Sequence, residues 1–551
     1  MKGGRPLWER YRQVAEALAR QGFGLVVDRL GLATHLPWPV RWRARWGRSP
    51  VPWPERVRQL LVELGPVWVK LGQLASLRAD LFPAELVAAL ADLQDAVEPF
   101  DNRLAWQAVE AAWGRPVDTV LARWDLEPLA SASVAQVYGA ELRDGRAVVV
   151  KVRRPDIVSQ AEADLALVRR LAEVAERRLE WARELELGRL VDELVETLRQ
   201  EFDFRTEARN TQRAAAVMSG LSGHAVPEVI ESLSGPSVLV TTRLGGTRLT
   251  DREGLARLGF DPASVARRFV LGVYHQVFGE GFFHADPHPG NVHLDPDGTL
   301  VWLDWGLAGR LDEAMRQRSV RLILALTRGQ AEAVADALIG LAVAPTELDR
   351  AGLTEAVDRL RRRYYEARLD QFQMGEALWD LLRVARRFRL RIPTDYALLA
   401  KTAVIADGVV RQLDPRLSLV ELGQELGPRL WWSEWAPHRW ASALPERVWR
   451  WGETVWGLPY HLDEALRQLG QGAVRLRVDD RHLDYLARHW EQVAARITAA
   501  LLLGAITVGL GLVVASGGGR QWPSGWAGWA FACSGGLGAA VVLRTLWRGH
   551  L

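Results

Sequence analysis

His284-Ala-Asp286-Pro-His288-Pro-Gly-Asn291 is followed, across one short stretch, by Asp304-Trp305-Gly306. An Asp and an Asn five residues apart, then a second Asp opening a D-x-G, give the spacing of a phosphoryl-transfer catalytic loop and its metal-binding carboxylate. The chemistry accounts for the spacing. The Asp286 carboxylate receives or orients the nucleophile's proton, and the Asn291 amide oxygen reaches a divalent metal from the end of the same loop. Asp304 grips metal that bridges the nucleotide phosphates. Between them, residues 292–303 read as two short apolar strands around an Asp-Pro-Asp-Gly turn, so a hairpin is expected to carry Asn291 and Asp304 back to one site.

A matching half lies upstream. Residues 128–152 read as a small-residue loop, an alternating strand, an Asp144-Gly145 turn and a second strand ending in Lys151. That is the layout of a kinase phosphate-covering loop followed by the lysine of the third strand. Here the loop is Ala130, Ser131, Ala132, Ser133 and Val134, where kinases carry glycines. Glycine lets backbone amides approach the phosphates closely, whereas Ala and Ser restrict the turn, so nucleotide handling should differ. Lys151 needs a carboxylate to hold it, and Glu207 is the candidate. Glu201 and Asp203 remain for another cation. Upstream, Lys70-Leu-Gly72-Gln73 lies on what physics alone describes as an amphipathic helix.

At 551 residues the chain holds roughly three or four domain-sized units. Its 70 basic and 67 acidic residues give no global argument for nucleic acid. Only four of those basic residues are lysines: Lys2, Lys70, Lys151 and Lys401. Where Arg is favoured nearly everywhere, a surviving Lys marks a place where a compact ammonium is needed and a guanidinium fork does not fit. The single Cys533 excludes disulfides and thiolate metal sites. No apolar run follows the N-terminus, which argues against a cleaved signal peptide. Ile497–Ser516 and Trp526–Leu543 are uncharged and read as a membrane hairpin. Arg481, Arg488 and Arg496 precede it and Arg544 and Arg548 follow, which places the catalytic body on the cytoplasmic side of the inner membrane. Trp38, Trp42, Trp46 and Trp53, interleaved with arginines, form one interfacial belt, and the Trp-rich run from Trp431 to Trp456 forms another.

Six segments, in order, resemble the UbiB/ADCK family of atypical protein-kinase-like proteins: K-x-G-Q, ASASVAQV, AVVVKVRRP, EFD with its EA-x-N, FHADPHPGN and D-W-G. Leu-Leu-Ala-Lys401-Thr-Ala with Leu413-Asp414-Pro415 is also alike. The resemblance implies an α+β, protein-kinase-like bilobal fold with a helical N-terminal extension and a C-terminal transmembrane hairpin. The expected divisions are a Trp/Arg-rich segment (1–53), the helical extension (54–124), an N-lobe with a helical insert (125–245), a C-lobe (246–425), an amphipathic Trp-rich region (426–495) and two transmembrane helices (496–545). It further implies that Lys70 and Gln73 meet Glu201 and Asp203 above the active site, that ATP and Mg²⁺ bind, and that isoprenoid-quinone precursors or other lipids are the targets. Membrane and other quinone-biosynthesis proteins are the expected partners; no nucleic acid is expected, and a homodimer is left open. Thr242 and Leu244 fall at the adenine hinge, where Thr-Thr-Arg replaces the apolar residue and acid of the family pattern. Two rival readings are an aminoglycoside-kinase-type small-molecule phosphotransferase and a catalytically silent nucleotide-binding scaffold.

Overall fold

The computed structural model describes residues 7–24, 27, 51–76, 78, 81–93, 99–184, 186–342, 345, 348–365, 374–417 and 422. The Trp/Arg belt of residues 38–48, the Trp-rich region 426–495 and the two apolar runs of 496–545 lie outside the described residues. Among the described residues no helix is long and apolar enough to cross a membrane.

The N-terminal extension consists of α1 (Leu7–Arg20), α2 (Trp53–Leu64), α3 (Pro66–Ser76) and α4 (Ala84–Ala91). Pro66 opens α3, where its missing N–H costs nothing, and Gly65 at φ 105° turns the chain between α2 and α3. The next elements belong to the smaller lobe. They are α5 (Asn102–Trp113), then β1 (Leu121–Trp124), β2 (Ala130–Ser131), β3 (Ala135–Leu142) and β4 (Ala147–Arg153). A helical insert follows: α6 (Ile157–Arg178), α7 (Glu180–Glu184), α8 (Leu187–Glu201) and α9 (Phe204–Met218). Strand β5 (His224–Ala225) joins the other lobe, and β6 (Val238–Thr242) completes the small lobe's sheet in the order β1-β3-β4-β6, with β2 also paired to β3.

Alternation along β4 decides which way its lysine faces. Val148, Val150 and Val152 are fully buried on one face, against Ala105 and Val109 of α5 and Tyr138 of β3. Lys151 is therefore presented on the other face. This packing also moves a domain boundary. The helical extension was expected to run to residue 124, but α5 and β1 are parts of the small lobe's own core and sheet. The short length and polar face of residues 102–124 hide that membership from the sequence.

The larger lobe begins with β7 (Thr247–Arg248), α10 (Arg252–Arg257) and α11 (Pro262–Tyr274). Strands β8 (Phe282–His284), β9 (Val292–Leu294), β10 (Leu300–Trp302) and β11 (Ala308–Arg310) carry the catalytic segments. They form a β5-β10-β9-β7 sheet and a β8–β11 pair. Helices α12 (Glu313–Arg328), α13 (Ala331–Leu341), α14 (Arg350–Tyr365), α15 (Met374–Arg387) and α16 (Thr394–Leu413) complete it. The expected hairpin is β9–β10: Val292 pairs with Trp302, and Gly298 at φ 83° makes the turn. Its open end brings Leu303 N within 2.7 Å of Asn291 O, which sets Asn291 beside Asp304.

Arg10 of α1 ties the extension to the insert. Its guanidinium donates to the Leu64 carbonyl and to the Asp164 carboxylate of α6, both at 2.7 Å, and Asp164 is almost wholly buried. Removing either partner strands a buried charge. We expect Arg10→Met and Asp164→Leu each to lower the melting midpoint by about 2–4 °C, and the double variant by less than the two together. Strictly additive midpoints in a thermal scan contradict the pairing.

Candidate active site

Lys151 sits between two carboxylates contributed by different elements. Its ammonium lies 2.7 and 2.8 Å from the oxygens of Glu207 on α9 and 3.4 Å from Asp304 after β10. Glu207 faces inward because it shares one helical stripe with Phe204, Asn210, Thr211, Ala214 and Met218, all buried. Burial pushes the Glu207 carboxyl up to about 7 against the pull of Lys151. The Lys151 ammonium has the opposite effect on Asp304, which it holds down at about 2. Burial alone lowers a lysine, but Asp304 and Glu207 outweigh it and keep Lys151 above its ordinary value. Asp304 stands at φ 51°, a left-handed conformation that Asp tolerates better than most residues. Gly306 N donates to its Oδ1 at 3.2 Å.

The catalytic loop is fixed to this segment by His284. Asp286 N donates to His284 Nδ1 at 3.0 Å, so that nitrogen is an acceptor, and Nε2 carries the proton to the Leu303 carbonyl at 2.9 Å. Burial lowers the imidazole pKa and keeps it in this neutral form. Asn291 Nδ2 donates to the Asp286 carbonyl at 3.1 Å, which leaves the amide oxygen as the group available to a cation. Asn291 and Asp304 thus offer one neutral and one anionic hard oxygen. That donor set fits Mg²⁺, which prefers one or two protein oxygens completed by water and phosphate. Among the described residues no group of three or more His, Cys, Asp or Glu is gathered as a metal cluster. When bound, such an ion supplies charge neutralisation at the phosphates.

Above the cleft, Lys70 reaches Glu201 at 3.6 Å, so α3 and α8 meet through the expected pair. The other half of that expectation is corrected. The Gln73 amide donates to the Leu93 carbonyl at 2.9 Å. Asp203 caps α9 and is gripped by the Arg205 guanidinium, 2.7 Å at its nearest. A neighbouring Arg two residues on outcompetes a distant amide for that carboxylate. Arg78 adds a second tie to α8, 3.1 Å from Glu193. Gly72 has a packing reason: a Cβ there meets Leu61 and Leu93 methyls at 2.6 and 2.5 Å.

The Ala-rich segment is also more structured than a loop. Ala130 and Ser131 pair with Val137 and Gln136 as β2, and Ser133 is buried. Ala132 and Val134 complete the turn, with Ala132 N donating to Ala135 O at 2.8 Å. Arg154, just beyond β4, donates to the Ala132 carbonyl and the Ser131 hydroxyl, both at 2.9 Å. At the hinge, the Thr242 hydroxyl accepts from Glu228 N at 2.9 Å, and Leu244 follows the end of β6, half-buried. Two further residues, quoted in the EA-x-N and Leu-Leu-Ala-Lys401-Thr-Ala segments but given no role there, enter the site. Asn210, one turn after Glu207, donates to the Trp305 carbonyl at 3.1 Å and so links α9 to the D-W-G segment. Lys401 of α16 lies 3.3 Å from Asp286. The helical stripe of α9 points to the first, and lysine scarcity already marks the second without saying what it meets.

The raised Glu207 has a consequence for stability. With a folded-state pKa near 7, above its ordinary 4.5, the group favours the folded state less as pH rises from 4.5 through 7. We expect the Glu207→Gln variant, free of this titration, to gain melting temperature relative to the unchanged protein between pH 5 and pH 8. A difference that falls with pH over that range contradicts the assignment.

Residues 92–338 match the ABC1 atypical kinase-like domain, and residues 357–418 match the UbiB helical domain. A protein of Aliivibrio fischeri ES114 named "Probable protein kinase UbiB" is 33% identical over 512 residues, 90% of this chain and 94% of that protein. One of the same name from Vibrio atlanticus LGP32 is 35% identical over 466 residues, 84% of each chain. Among solved structures, Mycobacterium tuberculosis Rv3197 in complex with erythromycin has a TM-score of 0.41 and 22% identity, covering 64% of this chain and 90% of that one. With both domains matched in order and identity sustained over nearly the whole length, the chain belongs to the UbiB family of ABC1-type atypical kinase-like proteins, a family implicated in ubiquinone biosynthesis.

Proposed function

We propose that this protein is a membrane-associated ATPase or unorthodox kinase that acts in isoprenoid-quinone biosynthesis. The observation that carries the reading is the Lys151–Glu207–Asp304 cluster facing a loop that holds both Asp286 and Asn291. ATP binds with its phosphates against Lys151 and under the Ala130–Val134 turn, and its adenine meets the backbone near Thr242 and Leu244. Mg²⁺ is held by Asn291 and Asp304. Asp286 orients the attacking oxygen and takes up its proton.

Protein substrates are excluded by the extension. The α2–α4 segment is held together by its own small core of Val69, Leu86, Leu90 and Leu93 and is tied to α8 by Lys70–Glu201 and Arg78–Glu193. The acceptor is therefore water or a small or lipidic molecule, such as an isoprenoid-quinone precursor. The uncharged runs 497–516 and 526–543, flanked by arginines, support attachment to the cytoplasmic face of the membrane, beside other enzymes of quinone synthesis. The family match and the helical extension set aside the aminoglycoside-kinase alternative.

The test is ATP turnover by the purified full-length chain, with and without Mg²⁺, anionic liposomes and an apolar phenol standing in for the quinone precursor. We expect Mg²⁺-dependent hydrolysis that rises severalfold when liposomes and phenol are present, with no transfer to casein-like peptides. Turnover indifferent to lipid rejects the membrane role, and efficient peptide phosphorylation rejects the occlusion by the extension.

A further inference from the structure

The chain's lysines are concentrated where the chemistry is. Of four lysines among 70 basic residues, Lys2 lies outside the described residues. The other three each pair with a carboxylate of the cleft: Lys70 with Glu201, Lys151 with Glu207 and Asp304, and Lys401 with Asp286. A chain that uses arginine almost everywhere else has retained a compact ammonium at three points of one site. Two of these have roles in the reading above, and Lys401 has none.

Its placement is well determined. Thr402, the next residue on α16, donates to the Leu398 carbonyl at 2.9 Å and places the same hydroxyl 3.2 Å from the His284 carbonyl, at the head of the catalytic loop. Asp395, at the start of the same helix, accepts from Arg310 N at 3.0 Å on the strand paired with β8. The helix is thereby set against the paired strands β8 and β11, with Lys401 Nζ 3.3 Å from Asp286 Oδ2. The two side chains are about a quarter and a third exposed, 26% and 32%, so the pair is accessible to a ligand from solvent. Residues 284–291 contain no Lys or Arg, so the loop supplies no permanent cation of its own near its carboxylate. Phosphoryl transfer concentrates negative charge on the γ-phosphoryl oxygens, and Lys151, which also pairs with Glu207 and Asp304, is the other lysine of the cleft that faces them.

We propose that Lys401 is a catalytic residue whose ammonium binds the γ-phosphoryl group and so replaces a cation missing from the catalytic loop. The proposal rests on the ATP-dependent reading above. In hydrolysis, the water oxygen bonds to the γ-phosphorus as the bond to the β,γ-bridging oxygen breaks, and that electron pair leaves with ADP. The water proton passes to Asp286 and then to solvent. Lys401 exchanges no proton; it neutralises non-bridging oxygen charge and turns between Asp286 and the phosphoryl group.

A purely structural partner of Asp286 does not sense how many phosphates the nucleotide carries, which gives the test. Calorimetric titrations with Mg²⁺ compare ADP with the non-hydrolysable triphosphate AMP-PNP in the full-length protein and in Lys401→Met. We expect ADP affinity to stay within about twofold while AMP-PNP binding weakens about tenfold, with turnover falling on the order of 10²-fold. Lys401→Arg, which keeps the charge but not the compact head, recovers only part of the AMP-PNP affinity and serves as the variant if Lys401→Met does not fold. An unchanged AMP-PNP-to-ADP affinity ratio overturns the proposal. If the unsubstituted protein binds neither nucleotide, the ATP-dependent reading itself falls, a result distinct from failure of Lys401 alone.

Discussion

One ammonium shared by two carboxylates holds this site together. Lys151 comes from the small lobe's sheet, Glu207 from the helical insert and Asp304 from the large lobe, and the three meet within 3.4 Å. Two negative charges around one positive charge leave the cluster electrostatically unfinished. Burial shows it in Glu207, whose proton is retained to about pH 7, while Asp304 remains firmly ionised. A divalent cation held by Asn291 and Asp304 would offset the uncompensated carboxylate charge. The strained backbone at Asp304 and the neutral His284 beneath it keep that carboxylate in place before anything binds.

The extension acts on the same cluster from above. Lys70 engages Glu201 only six residues before Glu207, and the two carboxylates stand on successive helices of the insert. Arg10 fixes α1 to α6 and Arg78 fixes the end of the K-x-G-Q segment to α8. Glu193 also accepts from Thr394 at 2.8 Å, at the start of the helix that delivers Lys401. The insert therefore touches the extension on one side and the helical part of the large lobe on the other.

The parts legible in the sequence are those with short-range patterns. Alternation in residues 147–153 places Lys151, and an Asp-Pro-Asp-Gly turn between apolar triplets makes the hairpin that joins Asn291 to Asp304. Contacts made across the chain are harder to read. The Glu201–Lys70 pair came through family likeness, but Gln73 and Asp203 took nearer partners, Leu93 and Arg205, because a local contact has less entropy to overcome. Arg154, gripping the Ala-rich turn, follows Lys151 by three residues, and nothing in the sequence says which way its side chain runs. Lys401 was conspicuous as a rare lysine, yet its position beside Asp286 depends on a helix folding back across 118 residues to the catalytic loop.

Mg²⁺-dependent ATP binding centred on Asp304 is the property on which every proposed role of the site depends. Isothermal titration of ATP into the full-length protein and into Asp304→Asn, each with Mg²⁺ and with EDTA, measures it directly. We expect binding that requires Mg²⁺ in the unsubstituted protein, and loss of that dependence in the variant, whose amide keeps the shape but not the charge of the carboxylate proposed to grip the metal. Equal, Mg²⁺-dependent binding by both proteins contradicts that expectation.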